Sequence, residues 1–368
     1  METQGKYPEQ GYTDRGQLMR RLILAAQWIW SVYALLIYAA AIKGQPSIAM
    51  GVACLVIGSF LATIGHEAGH AVVAAACGWR VLTFAVRPFA LQFQPPRLAW
   101  MPRGHESGIA GFVAAIPTTA DRATSTRWAC YVAAGPSASM ILAIVAFATA
   151  SLILPHFDTE TLRVSHLAFG LSLQALAQCC FSLLPAARAA TKTDGAKLWA
   201  LQKSRTPPSA LVWLATARRY KLRLCHVPAW IVAQARENAS EPIRHDLDAF
   251  EVAMLLDARD GAAARVKLSS YLDRHGTNEW AAYCDVFLTA MMEGDAEGAA
   301  AKYWTGPKVP ELAALSHAAQ AAIDARAGRR RAARAQLKAM HRALRADSSL
   351  RDPTYAAIAK DVEALLAQ

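Results

Sequence analysis

The sequence predicts a mainly α-helical membrane protein: a polytopic membrane helical bundle with a small β element, followed by a soluble helical-repeat domain. Three observations carry that class. Residues 1–205 hold four apolar runs of membrane-spanning length. Beyond residue 205 the charged residues become roughly twice as dense, 22 Lys+Arg and 19 Asp+Glu against 17 and 9 before it. In that second part, glycines recur 33 and 34 residues apart among Ala-rich segments, a spacing typical of stacked helical hairpins. Composition excludes other classes. With 54% hydrophobic residues the chain is not disordered, and a net charge of +11 over 368 residues is too modest for a dedicated nucleic-acid binder. The seven cysteines are odd in number, and Cys54, Cys130, Cys179 and Cys180 lie in apolar runs, so free thiols are expected in place of a secreted disulfide framework.

The four spans are Leu22–Ile42, Ile48–Cys77, Trp128–Pro155 and Leu167–Pro185. At about 1.5 Å per residue each can cross a hydrocarbon core of about 30 Å. Arg20 and Arg21 precede the first run as in a signal peptide, but its apolar stretch is too long for that and it reads as retained. Positive charge then orders the loops. Arg20 and Arg21 flank span one, Arg80, Arg87, Arg97, Arg103, Arg122 and Arg127 separate spans two and three, and Arg188, Lys192, Lys197 and Lys203 follow span four. The two remaining loops carry little positive charge. By the positive-inside rule both termini are cytoplasmic, in a bacterial inner membrane. The domains follow as a cytoplasmic N-terminal segment, 1–21, a transmembrane domain, 22–205, and a cytoplasmic α-helical domain, 206–368.

Between spans two and three, Arg80–Pro96 alternates apolar and other residues and predicts one or two short strands. Ser107–Pro117 is uncharged and too short to span; it reads as a packed loop, with a re-entrant segment as the alternative.

Within the second span stands Gly65-His66-Glu67-Ala68-Gly69-His70. Ionisable side chains at that depth are costly, which makes them functional candidates. His66 and His70, four apart, share one helical face where two imidazoles can hold one zinc ion. Glu67 lies about 100° around the helix and can serve a metal-bound water as general base. Satisfied core histidines are the bland alternative, and the membrane setting disfavours it. His66 lies about 18 Å along the helix from Gly78 and about 27 Å from Ile48, so the metal sits nearer the cytoplasmic end, and water must reach it through a polar gap.

Two histidines leave zinc one protein ligand short. Asp194 is the candidate, in Thr193-Asp194-Gly195 just after the apolar run that ends Ser182-Leu183-Leu184-Pro185. There Pro breaks the helix and Gly permits a tight backbone path. Asp-Gly alone is a turn signal; its position beside an intramembrane metal motif makes it a ligand candidate. His105-Glu106 reads as a solvated loop pair.

With these residues together, the chain resembles the site-2 protease family of intramembrane zinc metalloproteases over about residues 22–203. That family carries HExxH in one transmembrane helix and an Asp-Gly ligand motif in a later one. A Gly-Pro segment commonly stands between them, as Ala134-Gly135-Pro136-Ser137-Ala138-Ser139 does here. The chain departs from the family pattern in having Ser139 and Ser182 where Asn is common, and in a longer interval from Pro185 to Asp194. The resemblance implies a zinc endopeptidase that cleaves a membrane protein or peptide within or near the bilayer, and it implies that Arg80–Gln94 pairs with the substrate backbone by strand addition.

In the second part, Gly261, Gly294 and Gly328 set the repeat, each expected to end one helix before the next begins. The pattern resembles tetratricopeptide hairpins, which form a curved surface for a peptide or regulatory protein; a plain helical bundle is the alternative. Arg329-Arg330-Arg331 reads as a solvated basic face. The expected partners are therefore the bilayer, a membrane substrate and a regulatory protein, with no nucleic acid. The rival reading is a non-catalytic membrane adaptor or receptor working through its repeats. Intact Glu67 speaks against it, since a structural metal site needs no base.

Overall fold

The computed structural model describes residues 48–93, 96–100, 110–153, 162–185, 187–188, 191–220, 222–237, 239–306, 309–346 and 353–367, with scattered positions between 25 and 36. It divides into two units, Met1–Pro207 and Pro208–Gln368. The expected span Leu22–Ile42 and the pair His105-Glu106 lie largely or wholly outside the described residues.

Among the described residues the first unit is built on three long helices, α1 (Ile48–Ala76), α2 (Ser125–Ile153) and α3 (Leu162–Leu183). Each contains a stretch long and apolar enough to cross a membrane. Their surfaces suit lipid. Val56, Ile57, Val72, Ile141, Ile144, Val145 and Leu152 are exposed, while small and polar residues such as Ala62, Thr63, Ala143, Ser172 and Ala175 are buried between helices. Small residues let membrane helices approach closely. At Gly58 of α1 an added Cβ would lie 2.9 Å from the backbone of Gly170 in α3.

Between α1 and α2 the chain forms an antiparallel sheet of β1 (Trp79–Val86), β2 (Phe89–Phe93), β3 (Pro96–Trp100) and β4 (Gly111–Pro117), in the order β3-β2-β1-β4. The sheet is larger than the sequence predicts. The 111–117 part of the expected loop is instead a strand, because its apolar run pairs along β1 from Trp79↔Pro117 to Val86↔Gly111 and buries Ala114, Ala115 and Ile116. Satisfying backbone groups in this way removes the need for a polar loop.

After α3 a two-stranded hairpin, Ala187–Arg188 with Thr191–Lys192, precedes α4 (Asp194–Ser204). The hairpin accounts for the long interval from Pro185 to Asp194. It carries the chain out and back, so Asp194 returns to the end of α3.

The second unit contains α5 (Ala210–Arg219), α6 (Ala229–Glu237), α7 (Glu241–Asp257), α8 (Gly261–His275), α9 (Glu279–Phe287), a π-helical turn over Leu288–Glu293, α10 (Ala296–Ala301), α11 (Ala313–Arg326), α12 (Arg330–Ala346) and α13 (Pro353–Ala367). Its core buries Tyr283, Phe287, Leu315, Ile323, Leu337, Met340 and Val362 together. Two of the three repeat glycines behave as expected. Gly294 and Gly328 adopt φ of 78° and 73° where helices end. Gly261 instead begins α8, and the left-handed residue before it is Arg259, φ 60°. The reason lies in Asp260, whose carboxylate accepts from Ala263 N–H and caps α8, which starts the helix immediately afterwards.

Candidate metal centre

His66, Glu67 and His70 are all buried in α1, and Asp194 is buried at the first turn of α4. The chain brings His66, His70 and Asp194 together, with one ligand atom from each lying within 4.8 Å of the others. Asp194 Oδ2 stands 3.1 Å from His66 Nε2 and 3.3 Å from His70 Nε2.

The local sequence explains how Asp194 arrives there. Thr193 caps α4, its hydroxyl accepting from Ala196 N–H and donating to the Leu184 carbonyl. Gly195 passes the end of α3 so closely that a Cβ would lie 1.8 Å from the Leu183 carbonyl oxygen. No larger residue fits, which is why Asp is followed by Gly at this point.

The histidines are oriented by their other nitrogens. His70 Nδ1 donates to the Tyr131 carbonyl at 2.7 Å, and His66 Nδ1 meets Ser139 Oγ at 2.9 Å, both partners lying on α2. With Nδ1–H so engaged, neutral His70 turns the lone pair of Nε2 toward Asp194. Lone pairs from two rings and a carboxylate thus point at one another, an arrangement that a cation makes favourable. Space is reserved as well. At Gly135, inside α2, a Cβ would sit 2.3 Å from His70 Nε2 and 2.7 Å from His66 Nε2. Donor chemistry and open space therefore both fit a zinc ion.

Around the histidines lies an aromatic layer. Tyr131 packs on His70 at 5.2 Å between ring centroids and against Trp79 and Trp128 at 5.2 and 5.4 Å. Its hydroxyl donates to the Val113 carbonyl at 2.7 Å, tying α2 to β4. Lys197 Nζ donates to the other carboxylate oxygen, Asp194 Oδ1, at 2.9 Å, so a positive charge stands beside the buried acid.

The model of peptidase family M50 matches residues 53–345, about four-fifths of the chain and including the whole of this site. The chain belongs to peptidase family M50. Comparison with curated proteins and with solved structures gave no match. This M50 chain is thus a member of the site-2 protease family, and membership supports a membrane metalloprotease function that depends on zinc. Sequence reasoning singled out the three clustered residues and Glu67. It missed Tyr131 and Lys197 as neighbours of the site and noted Ser139 only as a departure. Nothing in the local sequence marks Tyr131, because what it offers is a backbone carbonyl. Ser139 carried a signal, since it stands four residues after the glycine that makes room for the histidines.

Proposed function

We propose that the protein is a zinc endopeptidase that cleaves a transmembrane or membrane-associated protein within or near the bilayer, with both termini in the cytoplasm of a bacterial cell. The observation that carries this reading is the convergence of His66, His70 and Asp194 beside Glu67, all buried among apolar helices. His66, His70 and Asp194 would hold the ion through Nε2, Nε2 and Oδ2. Zinc supplies a Lewis acid that polarises the scissile carbonyl and acidifies water. Glu67 accepts the water proton on its carboxylate and returns it to the leaving amine. Ser139 and the Tyr131 carbonyl keep the two rings turned toward the ion, so that neither must reorient during the reaction.

The strand-addition role expected of Arg80–Gln94 moves to another strand. Among the described residues β1 and β2 each have neighbours on both sides, whereas β3 and β4 are the edge strands. β4 is also the strand beside the base. A Cβ on Gly111 would lie 2.9 Å from Glu67 Oε1. A substrate segment pairing along β4 would be held extended next to the carboxylate. The helices beyond Pro207 would select substrates or receive a regulatory protein.

The test is cleavage of co-expressed candidate membrane proteins by wild type and Glu67→Gln. Cleavage by the wild type alone supports the proposal, and equal products from both would refute it. A reporter fused after Gln368 should behave as cytoplasmic and one near Asp158 as external; the opposite result would overturn the topology.

A further inference from the structure

The two oxygens of Asp194 have different partners. Oδ2 faces His66 and His70, while Oδ1 accepts from Lys197 Nζ at 2.9 Å. The carboxylate is buried, its side chain 8% exposed, and the Lys197 side chain is 35% exposed. Lys197 is three residues after Asp194 on the first turns of α4, so the helix itself sets their separation. An exposed pair of this spacing contributes little. Here the acidic partner is out of water and the contact is a charge-assisted hydrogen bond, which is stronger and more directional.

A carboxylate can bind a metal through one oxygen or through two. With one oxygen from Asp194 and one nitrogen from each histidine, zinc keeps an open position, as a hydrolytic site requires. With two, the protein fills the fourth position itself. We propose that Lys197 is a positioning residue that holds Oδ1 of Asp194, so that this ligand offers a single oxygen and the site stays open. This rests on reading His66, His70 and Asp194 as the zinc site.

The proposal separates from a merely structural role by a sign. If Lys197 only anchored α4, removing it would loosen Asp194 and weaken metal binding. If it restrains Oδ1, removal frees a second donor and deletes a positive charge beside a dication, so the metal is bound at least as tightly while turnover falls. The experiment uses the full-length protein in detergent, as wild type, Lys197→Met and Lys197→Arg. It measures zinc stoichiometry and Kd, the visible spectrum after cobalt substitution, and cleavage of a model transmembrane peptide. Lys197→Met is expected to retain one zinc per chain with a Kd no weaker than wild type, to show an altered cobalt spectrum, and to cleave about 10–100-fold more slowly, the range for groups that orient a metal ligand. Lys197→Arg, which keeps a donor and a charge, should return the spectrum and most of the rate. A wild-type spectrum and rate in Lys197→Met would overturn the proposal, as would weaker zinc binding by a folded variant. If wild type itself binds neither zinc nor cobalt, the metal-site reading fails and takes this proposal with it.

Discussion

The two units of this chain solve the burial of polar groups in opposite ways. In the first, apolar side chains such as Val145, Phe147 and Leu152 face outward, and His66, Glu67, His70, Ser139 and Asp194 are enclosed. In the second, Tyr271, Leu268, Ile323 and Met340 are enclosed, while ion pairs such as Arg244 with Glu241 and Arg265 with Glu293 lie at the surface. Buried acids occur in both. Asp257 in the second unit meets Arg223 at 2.9 Å and the Cys225 N–H at 2.8 Å, so its charge is neutralised by the protein. Asp194 in the first meets two imidazole nitrogens that carry no obligatory charge, and one lysine. Burial of a charge is costly unless it is paired or coordinates a metal. The comparison teaches that enclosure alone does not mark a site; a site is marked by an enclosed set whose partners remain incomplete without an added ion.

The sharpest way to break this contrast is at Glu67. Replacing Glu67 with Gln should lower the cleavage rate by about 10²–10⁴-fold, the usual contribution of a general base, and leave zinc content unchanged. Loss of zinc from that variant would make Glu67 a ligand and redraw the site.

In the second unit the corresponding change is Asp257→Ala, which strands the guanidinium of Arg223 and the Cys225 N–H. It should destabilise that unit by about 1–3 kcal/mol, the cost of leaving the Cys225 N–H unmatched while Arg223, 35% exposed, keeps access to water. Denaturant unfolding of the full chain measures this, and an unchanged midpoint would show that the pair is dispensable.

Much of the site was legible in the sequence, because the i,i+4 spacing of His66 and His70 needs only a helix to become geometry, and Asp194-Gly195 announces a tight passage. The sheet was less legible. Gly111–Pro117 is apolar without a clear alternation, and its strand state comes from pairing with β1, a long-range contact that no local pattern encodes. Gly261 differs for another reason: its spacing matches the other two glycines, but the local cap signal of Asp260 beside it outweighs that spacing and starts a helix there. Tyr131 acts through a carbonyl that only the folded chain brings near His70, whereas Lys197, three residues after Asp194 on one helix, was within local reach of the sequence.

A smaller effect sharpens the account of the histidine partners. Ser139→Ala removes the group 2.9 Å from His66 Nδ1 and should weaken metal affinity about 10–100-fold. Ser139→Asn, which restores a polar partner, should lose less. Competition with a metal chelator ranks the three proteins, and equal affinities would remove Ser139 from the site.

The smallest expected effect is chemical. Burial, with the Asp257 carboxylate beside it, pushes the Cys225 thiol up to about 11. A raised thiol pKa keeps the group protonated through pH 8 and 9, so Cys225 should alkylate slowly there and accelerate only as pH approaches 11. Asp257→Asn should move that profile to lower pH. Rapid labelling of wild-type Cys225 at pH 8, located by mass spectrometry, would contradict the assignment.

The central claim is that a helix-borne pair and a distant aspartate form one metal centre. The most direct measurement is the zinc content of monodisperse full-length protein as wild type, Glu67→Gln and Asp194→Ala. The account predicts one zinc per chain in the first two and a marked loss in the third. Full zinc occupancy in Asp194→Ala would contradict it and send the search for the remaining ligand elsewhere.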